Sequence, residues 1–203
     1  MSWGHQPPYS TATAFYDALA TLVRDMSAAT QRRNPILMEV GFGVGRLLHE
    51  MCEGNPHAIV IGIEESAEMT EVARAILAGV SPSTANKVTL CLGDIQKLPE
   101  FPQAADFVLC VNVLDRAEKT SDAIANLAKA TRDNGKLLVV TALDYESTIT
   151  PSWEQLDSEA VVREFETAGC TPERSFWTQL EKFTTSGRGR VYDELVLILR
   201  KRG

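Results

Sequence analysis

The sequence predicts an α/β fold on a mainly parallel sheet. Three observations predict it. Short apolar runs of strand length alternate with helix-patterned segments. The first run ends in a glycine-rich turn that opens a helix. The final stretch changes to two strand-like runs joined by a turn around Ser186-Gly187-Arg188-Gly189. A chain of 203 residues holds one full hydrophobic core and not two sizeable ones. The organisation expected is a helical segment over 1–33 and an α/β unit over 34–203, making a single domain.

In Ser10 to Thr30, Phe15, Leu19, Leu22, Val23 and Met26 recur at helical spacing. Ile36 to Val40 is a short buried strand. Arg46 to Cys52 is a helix with Leu47, Leu48 and Met51 on one face. Ala58 to Ile63 is the second strand. The next helix carries Met69, Val72, Ala73, Ile76, Leu77 and Val80 as one apolar stripe. Val88 to Leu92 and Asp106 to Val111 are the third and fourth strands, and Ser121 to Thr131 is a helix. Asp133-Asn134-Gly135 turns the chain into a fifth strand, Lys136 to Thr141. Glu159 to Ala168 is a helix with Asp157 or Ser158 at its N-cap and Gly169 at its end. The last strand runs from about Asp193 to Leu199.

Composition narrows the function classes. Net charge is −7, and the basic residues do not gather into the face that a phosphate backbone calls for, so nucleic acid is disfavoured as a partner. No apolar run is long enough to span a bilayer, and residues 1–8 lack the layout of a secretory signal. Cys52, Cys91, Cys110 and Cys170 are spaced too irregularly for a disulfide framework or a zinc site. Cys91 and Cys110 lie in apolar strand runs, as small hydrophobes do. A cytoplasmic setting fits, with no metal and no membrane.

The segment Glu39-Val40-Gly41-Phe42-Gly43-Val44-Gly45 follows the first strand and opens a helix. Glycines let the backbone turn sharply and approach a ligand at the carboxyl end of a strand. Tight strand-to-helix turns also need glycine, so the motif alone is balanced between the two readings. The dinucleotide fingerprint wants its third glycine at position 46, where this chain has Arg46. Two acids then fall where a nucleoside needs acceptors. Glu64 ends the second strand, placed to take both ribose hydroxyls, with Glu65 an adjacent competitor. Asp94 follows the third strand, placed to take the exocyclic amine of adenine while Ile95 covers the ring. A surface acid and a turn aspartate are the plain alternatives.

Together these residues resemble the class I S-adenosylmethionine-dependent methyltransferases. The matching pieces are Glu39 to Gly45, Gly62 to Ser66 with Met69 behind, Gly93-Asp94, and Asp106 to Leu114. The resemblance implies a Rossmann-like three-layer αβα sandwich with sheet order 3-2-1-4-5-7-6 and an antiparallel last strand. It implies S-adenosylmethionine as cofactor, its methionine part held by Glu39, Gly41, Gly43 and Gly45, its ribose by Glu64 and its adenine by Asp94. It also places a lid in the N-terminal segment, where His5, Tyr9 and Tyr16 stand. His5 reads as a disordered end residue before a catalytic one.

The methyl acceptor is expected beyond the fourth and fifth strands. Asn112 is placed to touch the cofactor's amino-acid end or a substrate polar group; a loop Asn bonding its own backbone is the equal alternative. Asp115 and Arg116 are placed to read a charged substrate or to pair at the surface. Tyr145 and Trp153 are placed to pack on a substrate cation, Trp153 with a core anchor as the plainer role. Asn112, Asp115, Arg116, Tyr145 and Thr150-Pro151 also resemble, over a short interrupted stretch, methyltransferase domains linked to 4-mercaptohistidine N-methylation. The function expected is methyl transfer to a small molecule without a dedicated base, since alignment supplies much of such a rate. The alternatives are a nicotinamide-dependent oxidoreductase, against which Arg46 speaks, a non-catalytic binding module, and a macromolecular methyltransferase.

Overall fold

The computed structural model describes residues 4–5, 12–80, 86–98, 104–145, 148–183 and 189–203. The elements are β1 (Gly4–His5), α1 (Ala12–Ala28), β2 (Ile36–Val40), α2 (Arg46–Gly54), β3 (Ile59–Glu64), α3 (Ala67–Val80), β4 (Val88–Leu92), β5 (Ala105–Val111), a 3₁₀ turn (Leu114–Arg116), α4 (Thr120–Ala130), β6 (Thr131–Thr141), α5 (Ser158–Thr167), β7 (Cys170–Phe183) and β8 (Gly189–Lys201).

All strands join one sheet in the order β1-β7-β8-β6-β5-β2-β3-β4. Without β1, the order of the seven remaining strands is 3-2-1-4-5-7-6, and the seventh, β8, runs antiparallel to both neighbours. β1 is an addition the sequence reading did not contain; it pairs parallel to β7 through Gly4↔Phe176 and His5↔Trp177.

Central strands are apolar on both faces because helices cover both. Along β2, Leu37 faces α1 and α2, where Phe15, Leu19, Val23, Leu48 and Met51 pack. Its neighbour Met38 faces the opposite layer, with Ile124 and Leu127 of α4 and Val161 and Phe165 of α5. This is the three-layer sandwich. The four cysteines are free thiols.

Two expectations are corrected. The apolar stripe of α3 is narrower than read: Ala73 and Leu77 are buried, but Val72 and Ile76 are exposed. Each lies about 100° around the helix from its buried neighbour, so it cannot share that face. The fifth strand begins at Thr131, not Lys136. Thr131 pairs with Ala105 and Lys136 with Phe107, so residues 132–135 bulge out, with Asn134 at φ 63°. The expected turn exists as that bulge. At α5 the cap is Asp157, whose side chain accepts from the Ala160 amide at 2.7 Å, and Gly169 follows at φ 86°. Ser10 and the turn over 186–188 lie outside the described residues, as does Tyr9.

Candidate functional site

The carboxyl ends of β2, β3, β4 and β5 open on one cleft of ≈ 360 Å³, in the size range of small-molecule sites. The glycine turn forms one wall. Gly41, at φ 75°, donates its N–H to Ile63 O at 2.7 Å, which ties the turn to β3. A Cβ there would lie 2.1 Å from Val113 Cγ2. A Cβ on Gly43 would meet nothing within 4 Å, so the backbone at Gly43 is open to the cleft.

Gly45 does something else. Its α-carbon faces α3, where an added Cβ would lie 3.2 Å from Ala73 Cβ, and it does not line the cleft. Close helix packing is therefore demanded at 45 and not at 46. Arg46 opens α2 and turns away toward α1, bonding Asp17 Oδ1 at 2.6 Å and lying 5.6 Å from the Tyr16 ring centroid. The sequence reading placed the packing requirement one residue late.

Glu64 is held by backbone. Its Oε2 accepts from the Gly43 N–H at 2.9 Å and its Oε1 from the Ser66 N–H at 3.1 Å. A carboxylate has about four lone-pair sites, so both oxygens keep accepting capacity toward the cleft they line. Glu65 lines the same cleft as an exposed neighbour. Asp94 caps its own turn, Oδ1 accepting from the Gln96 N–H at 2.8 Å. The turn is anchored by Asn126, whose Nδ2 donates to Ile95 O at 3.0 Å and Gln96 O at 2.8 Å. Ile95 is buried.

Of the candidate cofactor residues, Gly41, Gly43, Glu64, Asp94, Ile95 and Asn112 line the cleft together. Glu39 lies beneath the turn at 3% exposure. Its Oε2 has no hydrogen-bond partner among the described residues. Burial, and secondarily the Glu64 charge, push its carboxyl well above the usual range, against a hydrogen bond from the Leu48 backbone.

The candidate acceptor residues divide. Arg116 lines the cleft; Asp115, Tyr145 and Trp153 do not. Tyr145 donates to Leu156 O at 3.1 Å, and burial raises its hydroxyl's pKa. Asp115 is half-buried, and its charge bears on Tyr145 and Cys110. Trp153 is 81% exposed, so it is no core anchor. Thr150, by contrast, is fully buried and donates to Ala117 O at 2.6 Å.

Some cleft residues escaped the sequence reading. Val113, Gln96, Ala117, Glu118 and Ile149 line it from loops, where no periodicity marks a residue. Beside them, fully buried Glu194 faces Asn112 from β8. An acid immediately before the apolar run Leu195 to Leu199, beside Asp193, was its only signal. Among the described residues no group of three or more His, Cys, Asp or Glu could hold a metal ion, and no helix is long and apolar enough to cross a membrane.

A sequence model of the methyltransferase domain family matches residues 38–137. No curated protein sequence matches the chain. The fold is similar to that of the [4+2]-cyclase SpnF, at 16% identity and TM-score 0.72, covering 98% of this chain and 85% of that one. It is similar to the glycopeptide N-methyltransferase MtfA, solved with sinefungin, at 17% identity and TM-score 0.62, covering 91% and 87%. It is also similar to a TehB-like SAM-dependent methyltransferase from Corynebacterium glutamicum, at 14% identity and TM-score 0.61, covering 94% and 96%.

Proposed function

We propose, for a chain that belongs to the class I S-adenosylmethionine-dependent methyltransferases, that it transfers a methyl group to a small-molecule acceptor in the cytoplasm. The observation that carries this is the convergence of Gly43, Glu64, Asp94 and Asn112 on one cleft at the carboxyl ends of the strands.

The residues fit the cofactor. Glu64, fixed by two amide donors, has lone pairs left for two ribose hydroxyls. Asp94 would accept from the exocyclic amine of adenine, and Ile95 would cover the ring. The open backbone at Gly43 admits a ligand where a side chain would intrude. Glu39 holds an unmet acceptor beneath the turn, suited to an ammonium group at the methionine end. Gly41 and Gly45 shape the turn. The cofactor, when bound, supplies a methyl group already activated on a sulfonium.

The chain's own part is to bind, align and exclude water. Of the segment expected to form a lid, α1 lies against α2 and the sheet, with Tyr16 beside Arg46. Arg116, which lines the cleft, reads the acceptor, and Asp115, Tyr145 and Trp153, which do not line it, act on the acceptor indirectly. The net charge of −7 supports an acceptor other than nucleic acid.

The test is calorimetry with S-adenosylmethionine, S-adenosylhomocysteine and reduced nicotinamide cofactors. The sulfur nucleosides should bind and raise the melting temperature. Binding of a nicotinamide cofactor, and of neither sulfur nucleoside, would overturn the reading.

A further inference from the structure

We propose that Asn112, backed by Glu194 and Tyr16, forms a subsite that takes a cationic N–H group, such as an ammonium, carried by the methyl acceptor. The inference rests on the methyltransferase reading above and concerns the handle by which the acceptor is recognised.

Geometry comes first. On β8, Leu195, Leu197 and Leu199 face the α4–α5 layer, while Val196 faces α1 and α2. Strand alternation puts Glu194 on the α1–α2 side. The pairing Thr141↔Leu195 sets it just past the carboxyl end of β6, at the same end of the sheet as the glycine turn. Glu194 is fully buried there. Asn112, at φ 55°, lines the cleft and donates through Nδ2 to Glu194 Oε1 at 3.4 Å. Tyr16 of α1 lies close enough to Asn112 and Glu194 for both to bear on its hydroxyl. One amide thus joins the cleft to a buried carboxylate, beside a half-buried phenol.

The chemistry of the surplus atoms follows. With Nδ2 turned to Glu194, the Asn112 amide leaves Oδ1 over; that atom is buried and has no partner among the described residues. So is the Thr178 hydroxyl, on the residue paired with Glu194 across β7 and β8. The charges that face Tyr16 are Glu194, Glu39 and Arg46, and Arg46 is engaged by Asp17 on the outer side of α1. The interior therefore presents acceptors and negative charge. A buried acceptor left unmet is costly, and a ligand that brings donors and positive charge removes that cost. A neutral donor would meet the acceptor but not the negative charge, and an anionic group would meet neither. Glu194 does not reach the cleft; it is a positioning residue that orients Asn112 and sets the local potential.

The test uses the full chain saturated with S-adenosylhomocysteine. Benzylamine, benzyl alcohol and benzoate are the probes, and ligand-observed NMR at neutral pH measures their affinities. The wild type should bind the benzylammonium ion in preference to benzyl alcohol, and benzoate least. Glu194→Gln should cut that preference about tenfold, the scale of a close charge removed from a low-dielectric site, with S-adenosylhomocysteine still bound. Asn112→Gly, which tolerates the positive φ, should cut it as well and decides the matter if the Glu194 variant does not fold. A protein that binds S-adenosylhomocysteine yet shows no preference among the probes overturns the inference alone. Equal weakening of all three probes in both variants also overturns it, since a merely structural role would do that. Failure of the wild type to bind S-adenosylhomocysteine instead overturns the methyltransferase reading.

Discussion

Gly41 stands against Val113 so closely that an added Cβ would lie 2.1 Å from Val113 Cγ2. The turn after β2 and the loop after β5 are thus packed backbone to side chain. Gly41→Ala meets two penalties: a left-handed φ of 75° and overpacking. Together these should destabilise the fold by about 2–4 kcal/mol. Adding Val113→Ala should recover the overpacking share and leave the backbone share. Urea unfolding of both singles and the double variant measures this, and full additivity would contradict it.

Glu64 and Glu65 are adjacent, but only Glu64 is fixed by the Gly43 and Ser66 amides. Glu64→Ala should weaken S-adenosylhomocysteine binding by roughly 1.5–3 kcal/mol, the range for hydrogen bonds to a charged group. Glu65→Ala should cost well under half of that. Isothermal titration below the melting transition gives both numbers. Equal losses would move the ribose role to Glu65.

Glu39 sets a pH dependence whose sign is fixed. Burial raises its folded-state pKa above the unfolded value, so between the two the native state holds a proton that the unfolded chain has lost. The associated stability is present below the unfolded carboxylate pKa and is lost as pH rises toward the folded one. Glu39→Gln keeps the shape without the ionisation. In the free protein it should be more stable than wild type at neutral pH, with the gap closing toward pH 4, and it should bind the cofactor more weakly. Thermal melts across pH measure the gap. A gap that widens on acidification would contradict the assignment.

The order of strands and helices was legible because periodicity and turn chemistry report local structure, and both sheet faces are covered. That the glycine turn, Glu64 and Asp94 meet at one cleft was legible because each lies at a fixed chain distance from a strand end. What stayed hidden came from packing between distant elements. Gly45 meets α3, so Arg46 was free to leave the turn. Val72 and Ile76 fit a helical stripe in the sequence but face outward, because α3 offers the sheet only a narrow face. Glu194 acquires meaning only when β8 is paired with β6 and set beside Asn112, 82 residues away in the chain. The two-residue β1 has no periodicity to read.

Rate should come from alignment and not from a dedicated base. Burial raises the pKa of the Tyr145 hydroxyl, which is already committed to Leu156 O. The Tyr16 hydroxyl is raised by burial and by Glu194. Neither phenol is poised to accept a proton near neutral pH. Trp153 stands outside the cleft at 81% exposure. Asp115 is half-buried, lies outside the cleft lining, and its charge bears on Cys110 and Tyr145. Substitutions Asp115→Asn, Tyr145→Phe and Trp153→Ala should therefore act mainly on acceptor affinity, with Trp153→Ala the mildest. None should abolish turnover while binding stays intact. Single-turnover methyl transfer under saturating cofactor and acceptor separates the two effects. Any one variant losing about 10⁴-fold in the chemical step at unchanged affinity would exceed what alignment by one side chain supplies and identify that residue as a general base.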